Sequence, residues 1–221
     1  MKKQTANQIT EGVIWKQLLL FFFPILFGTF FQQLYNTADA VIVGNFVGKE
    51  ALAAVGGPAA TLINLLVGFF VGLSSGATVI ISQFYGAKNN ADVKKAVHTS
   101  IALSLAGGAI IMILGLIFSG AALQLMNTPD DIMKLSLTYM RIYFLGVIPS
   151  LIYNMGSGIL RAAGDAKRPL YFLIISCFIN IILDIFFVVV LKLGVAGVAI
   201  ATTLSQVASA VMVLAALMRT T

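Results

Sequence analysis

The sequence predicts an all-α integral membrane protein, a bundle of six transmembrane helices, and three observations carry that reading. Hydrophobic residues make up 59% of the chain and charged ones 10%, with a mean hydropathy of +0.99. That is more apolar surface than a water-solvated core can hide, so the solvent is lipid. The apolar runs are long and continuous, whereas the strands of a transmembrane barrel would alternate polar and apolar over about ten residues. Finally, a chain of 221 residues holds about six spans of roughly 20 apolar residues with short loops. The formal charge of +6 is dispersed between the apolar runs, which makes it a topology signal and argues against a nucleic-acid partner.

The first span covers 13–43, with Trp15 at the inner interface and Pro24 inside it, so a tilt or a kink is expected there. Lys2 and Lys3 precede this run, but no A-x-A cleavage site follows, and helix 1 is read as retained. The second span covers 51–84 and carries Gly68, Gly72 and Gly76 at four-residue spacing, read as a surface on which a neighbouring helix packs. The third covers 93–125, the fourth 132–163, the fifth 169–191 and the sixth 195–217. The single cysteine, Cys177, lies inside the fifth and has no disulfide partner, so it is read as a small packing residue. No internal repeat or low-complexity linker divides the chain, which reads as one unit over 1–221.

Six spans put both termini on one side. Lys2, Lys3, Lys16, Lys88, Lys94, Lys95, Arg161, Lys167, Arg168 and Arg219 fall on that side, against Lys49, Lys134 and Lys192 on the other. The asymmetry predicts a multi-pass protein of the cell (inner) membrane with both termini cytoplasmic. Arg141, in the outer part of helix 4, either snorkels outward or faces a wet cavity.

Two carboxylates, Asp39 and Asp184, fall inside predicted spans, where an ionised group costs several kcal/mol and so faces the bundle interior with a function. The other acids, Glu11, Glu50, Asp92, Asp130, Asp131 and Asp165, fall in loops or at helix ends. Asp39 shares a face with Gln32 and Asn36, at i, i+4 and i+7, with Tyr35 at its edge. Ser176, Asn180 and Asp184 recur every four residues on helix 5, and Thr202, Gln206 and Ser209 form a stripe on helix 6. Tyr139, Tyr143, Ser150, Asn154, Ser157 and Arg161 form a longer one on helix 4.

At about 1.5 Å rise per residue, Asp184 lies roughly 22 Å from the cytoplasmic start of helix 5 and Thr202 about 10 Å in from the external start of helix 6. In a core of about 30 Å both belong to the outer half, with Asp39. Such a cluster of carboxylates, amide oxygens and hydroxyls suits either a proton or a sodium ion held by oxygens. For Ser176, Gln206 and Ser209 the competing reading is interhelical hydrogen bonding. An aspartyl protease dyad is disfavoured because Thr37-Ala38-Asp39 and Ile182-Leu183-Asp184 lack the flanking Tyr-Asp and Gly-x-Gly-Asp patterns. His98 is a lone, solvated histidine, and no enzyme chemistry is expected.

These residues resemble the N-terminal lobe of the multidrug and toxic compound extrusion (MATE) family, nearer its DinF-like branch. The resemblance rests on Pro24 followed by Gln33-x-x-Asn36-x-x-Asp39 and Val43-Gly44, on Leu52-Ala53-Ala54-Val55-Gly56, and on Gln83-x-x-Gly86-Ala87. It continues with Leu160-Arg161-Ala162-x-Gly164-Asp165-x-Lys167-x-Pro169, Asn180-Ile181-x-Leu183-Asp184, and Gly194-Val195-x-Gly197-Val198-Ala199-Ile200-Ala201-Thr202.

The resemblance implies a cation-coupled antiporter that exports amphipathic, often cationic, organic compounds by alternating access, with Na+ or H+ as coupling ion and no other cofactor. It implies a cation site of Asp39, Asn180, Asp184, Thr202 and Tyr35, with Na+ possible at the first four, and a bend of helix 1 at Pro24. Gln32, Asn36, Tyr139, Asn154 and Gln206 are expected to line the substrate cavity. Members are about twice this length, so the chain is expected to be one lobe of a twelve-helix transporter, a fragment or one of two associating copies. The alternatives are a transporter resembling lipid-linked oligosaccharide flippases, which a basic cavity lining would favour, and a fragment that transports nothing.

Overall fold

A computed structural model describes residues 13–220; Lys2, Lys3 and Glu11, used in the topology and loop assignments above, lie outside the described residues. The described chain is all helical: α1 (Ile14–Phe46), α2 (Lys49–Gly56), α3 (Pro58–Gly86), α4 (Asn90–Leu125), α5 (Asp130–Leu145), α6 (Val147–Ala162), α7 (Lys167–Asp184) and α8 (Val195–Thr220). A π-helical turn, Ile185–Val190, continues α7. Five segments are long and apolar enough to cross a membrane, and α5 with α6 make a sixth as one broken span.

Acids gather where helices begin, as the helix dipole favours. Glu50 opens α2, Asp92 lies in the first turn of α4, and Asp130 and Asp131 open α5. Asn89 caps α4 by accepting from the Asp92 backbone N–H at 3.3 Å. Asp165 accepts from the backbone N–H groups of Lys167 and Arg168 at the start of α7 and pairs with the Arg168 guanidinium at 2.9 Å.

The fourth span is not one straight helix. It bends by 52° between α5 and α6 at Gly146, for two local reasons. Pro149 has no N–H to give Leu145, and the Gly146 N–H bonds Tyr143 O at 2.9 Å, freeing the Ile142 carbonyl. Thr203 of α8 enters the gap and donates to that carbonyl at 3.4 Å. Only glycine fits there, because a Cβ at Gly146 would stand 2.7 Å from Thr203 Oγ1. The second span is likewise divided, at Gly57, with Pro58 starting α3.

In lipid, burial of apolar surface does not drive helices together, so close packing at small residues must do so. Here α6 packs against α3, α4 and α8, while α8 also contacts α5 and α7. Phe144 of α5 fills the notch over Gly115 of α4, and Val213 of α8 fills that over Gly156 of α6. The Gly68, Gly72 and Gly76 stripe corrects the sequence reading, since a Cβ at any of them would meet no atom within 4 Å. The reason is rotational: α3 turns Ala59, Ile63, Ser74 and Ile81 into the bundle and the glycine row away from it. Cys177 is buried and free. Helix α1 has α7 as its main partner, and this leaves a cavity on its inner face.

Candidate cation site and adjoining cavity

Asp39, Asn180, Asp184 and Thr202 come from α1, α7 and α8 and are 6%, 0%, 0% and 2% exposed. Thr202 Oγ1 donates to Asp39 Oδ2 at 3.3 Å, and Asp184 and Asn180 stand beside the Asp39 carboxyl. One turn back along α1, Tyr35 meets Ser205 at 3.1 Å. The Ser205 hydroxyl already donates to Thr202 O at 2.8 Å, so its one hydrogen is spent and Tyr35 is the donor. Two polar contacts thus fasten α1 to α8 at this level.

What distinguishes this cluster from helix-joining polar contacts is the set of groups left over. Asp39 Oδ1, both Asp184 carboxyl oxygens and both polar atoms of the Asn180 amide are buried without a hydrogen-bond partner. Buried polar groups in folded proteins are otherwise nearly always satisfied. The donor set fits a hard cation, which takes oxygen ligands from carboxylates and amide carbonyls; it equally fits a proton shared by two carboxyls. Among the described residues no group of three or more His, Cys, Asp or Glu side chains gathers. His98 is exposed.

The π-helical turn begins directly after Asp184, and such turns recur at functional sites because they re-aim the residues beside them. Apolar periodicity does not reveal it, since Ile185-Phe186-Phe187-Val188-Val189-Val190 reads as an ordinary apolar run.

A cavity of about 540 Å³ adjoins the cluster, within the range of a drug-sized site. Tyr35, Ser176, Ser205 and Gln206 line it, each about one turn nearer the cavity than Asp39, Asn180 and Thr202, so the acidic cluster lies behind its floor. Gln32, Asn36, Asn154 and Gln206 line the cavity, as does Pro24. Tyr139 does not. The bend at Gly146 splits the long polar stripe of the fourth span, leaving Tyr139 in the apolar core with its ring 6.2 Å from that of Tyr143, which takes the lining position. Arg141 is exposed on α5 and lines no part of the cavity. Arg161, counted above as a topology charge, does line it. Ser205 also escaped the sequence reading, though its i+3 spacing from Thr202 was the available signal.

The family model MatE matches residues 24–186 of this chain. The chain belongs to the MatE family. The probable multidrug resistance protein YoeA of Bacillus subtilis (strain 168) is 34% identical over 200 residues, covering 89% of this MatE chain and 43% of YoeA. DNA damage-inducible protein F of Escherichia coli (strain K12) is 26% identical, covering 84% of this chain and 40% of the relative. A crystal structure of MATE in the straight conformation superposes with a TM-score of 0.90 at 30% identity, covering 100% of this chain and 49% of that one. A MOP superfamily transporter from Pyrococcus furiosus Vc1 (DSM3638), described as having a reverse polarity of its binding pocket, gives 0.90 and 30%, covering 98% and 48%. This MatE chain is therefore a multi-pass membrane protein that spans about half the length of the relatives it matches.

Proposed function

We propose that this MatE chain supplies the ion-binding lobe of a cation-coupled exporter of amphipathic organic compounds. The observation that carries the reading is the set of unpartnered buried oxygens on Asp39, Asn180 and Asp184, beside Thr202 and behind the floor of a polar cavity. Na+ or H+ is the coupling ion. Its binding at Asp39 on α1 and at Asn180 and Asp184 on α7 changes the packing of α1 on α7 and α8, with Pro24 as the point where α1 bends. Because Tyr35 and Ser205 belong both to the α1–α8 contact and to the cavity wall, that movement reshapes the cavity and drives release.

A second six-helix lobe, as a C-terminal half or another copy, completes the cleft. This accords with the chain covering about half of its relatives. Both termini are cytoplasmic in the cell (inner) membrane, as the basic residues of the described chain favour: Lys16, Lys88, Lys94, Lys95, Arg161, Lys167, Arg168 and Arg219 against Lys49, Lys134 and Lys192. The family resemblance implies amphipathic, often cationic, exported compounds, and the charge they carry is taken up below. Arg161 in the cavity wall lends weight to a flippase-like second reading.

The test is efflux from proteoliposomes carrying this lobe with its second half, under an imposed Na+ gradient and then an H+ gradient. One gradient should drive efflux, and Asp39→Asn or Asp184→Asn should abolish the drive. Efflux by both variants at the unsubstituted rate would refute the ion-coupling site.

A further inference from the structure

Arg161 is the one formally charged side chain in the cavity wall among the described residues; no carboxylate lines it. Arg161 is half-buried at the last turn of α6 and lines the cavity together with Ala166 and Pro169, where α7 begins. Among the described residues it has no ion pair, and the nearest acid in sequence, Asp165, is engaged by Arg168 and by two backbone N–H groups. One turn deeper on the same face of α6, Ser157 lines the cavity, and its buried hydroxyl stands beside that of Tyr153. A guanidinium without a carboxylate partner and a hydroxyl at i and i−4 thus stand at one end of a space whose wall also offers Val67, Val71, Leu170 and Leu173.

A guanidinium with no carboxylate facing it, flanked by apolar surface, matches a ligand that carries a negative oxygen cluster on an apolar body. We propose that Arg161 and Ser157 form an anion subsite, and that this cavity takes amphiphiles bearing a phosphate or carboxylate group, held at the α6–α7 end. The inference rests on reading the cavity as the transport cavity. It sharpens the substrate class, because Arg161 opposes entry of an organic cation at that end. The Asp39 and Asp184 carboxylates lie behind the Tyr35 and Ser205 floor, at the far end from Arg161, so they do not neutralise it.

The test compares two probes of one apolar body, 1-naphthyl phosphate and (1-naphthylmethyl)trimethylammonium, binding to the 221-residue chain in phosphatidylcholine nanodiscs. The phosphate should bind about tenfold tighter, as expected for one charge-assisted contact. Arg161→Gln should erase that preference, Arg161→Lys should keep most of it, and Ser157→Ala should weaken the phosphate alone. Equal or tighter binding of the ammonium probe to the unsubstituted chain would overturn the proposal without recourse to any variant, as would an equal loss for both probes in Arg161→Gln.

Repeating the measurement with phosphatidylglycerol in the disc, at about 0.3 M salt to screen the surface potential, separates the two sources of such a group. Competition assigns the subsite to a lipid headgroup, and unchanged phosphate binding assigns it to a soluble amphiphile; either supports the anion subsite. The readout is binding, so a failure of ion coupling in the efflux test and a failure of the phosphate preference here are separate results, and each identifies which of the two readings has failed.

Discussion

Thr202 gives Asp39 a hydrogen bond at 3.3 Å, so replacing it isolates one contact. Thr202→Val keeps the shape, removes the donor, and should lower stability by about 0.6 kcal/mol, the average for such bonds between membrane helices; thermal unfolding in detergent reads this. Asp184→Asn should behave differently. Its carboxyl group has no hydrogen-bond partner, and an ionised group buried without one is costly, so at a pH where Asp184 is ionised the variant should melt higher than the unsubstituted chain while losing cation binding. A lower melting temperature would mean that Asp184 makes a structural contact after all.

Asp39, Asn180, Asp184 and Thr202 were legible in the sequence because a carboxylate in an apolar run is expensive and helical spacing says which neighbours share its face. Tyr139 was misplaced, whereas Arg161 stood in the polar stripe of the fourth span with Asn154 and Ser157 and lines the cavity with them. The position of Tyr139 depends on the bend at Gly146, and one sequence read as a continuous helix carries a polar stripe through a break that the backbone does not continue.

At the scale of the element, that bend and the glycine row of α3 make opposite predictions from the same residue type. Gly146→Ala would place a Cβ 2.7 Å from Thr203 Oγ1 and should destabilise by about 1–3 kcal/mol as overpacking does. Gly72→Ala meets nothing within 4 Å and should be neutral or stabilise the lobe by up to about 1 kcal/mol through helix propensity. Unfolding of the two variants side by side checks both. A large loss at Gly72→Ala would show that another surface covers that face.

The break at Gly57 and Pro58 was written in the sequence as punctuation, but its consequence, a short α2 set off from α3, was not, since both halves are apolar. The π-helical turn after Asp184 was hidden more deeply. Its residues are uniformly apolar, and a register change inside such a run leaves no periodic mark.

Across the whole molecule, the bundle of membrane spans was legible from hydropathy alone, whereas the cavity was not, because it depends on which helices leave one another's company. The side to which the cavity's Arg161 end faces follows from charge asymmetry and is testable with single cysteines. In a Cys177→Ser background, Lys88→Cys and Lys167→Cys should react with a membrane-impermeant maleimide only from the cytoplasm, and Lys134→Cys and Lys192→Cys only from outside. The reverse pattern would invert the orientation.

The central claim is that Asp39 and Asp184 share one cation. Infrared difference spectroscopy of the chain in lipid reads their carboxyl groups directly as Na+ is added at fixed pH and as pH is lowered without Na+. One of the two changes should shift carboxyl bands that vanish in the double variant Asp39→Asn, Asp184→Asn. Bands that ignore both ions, or that persist in the double variant, would contradict the account.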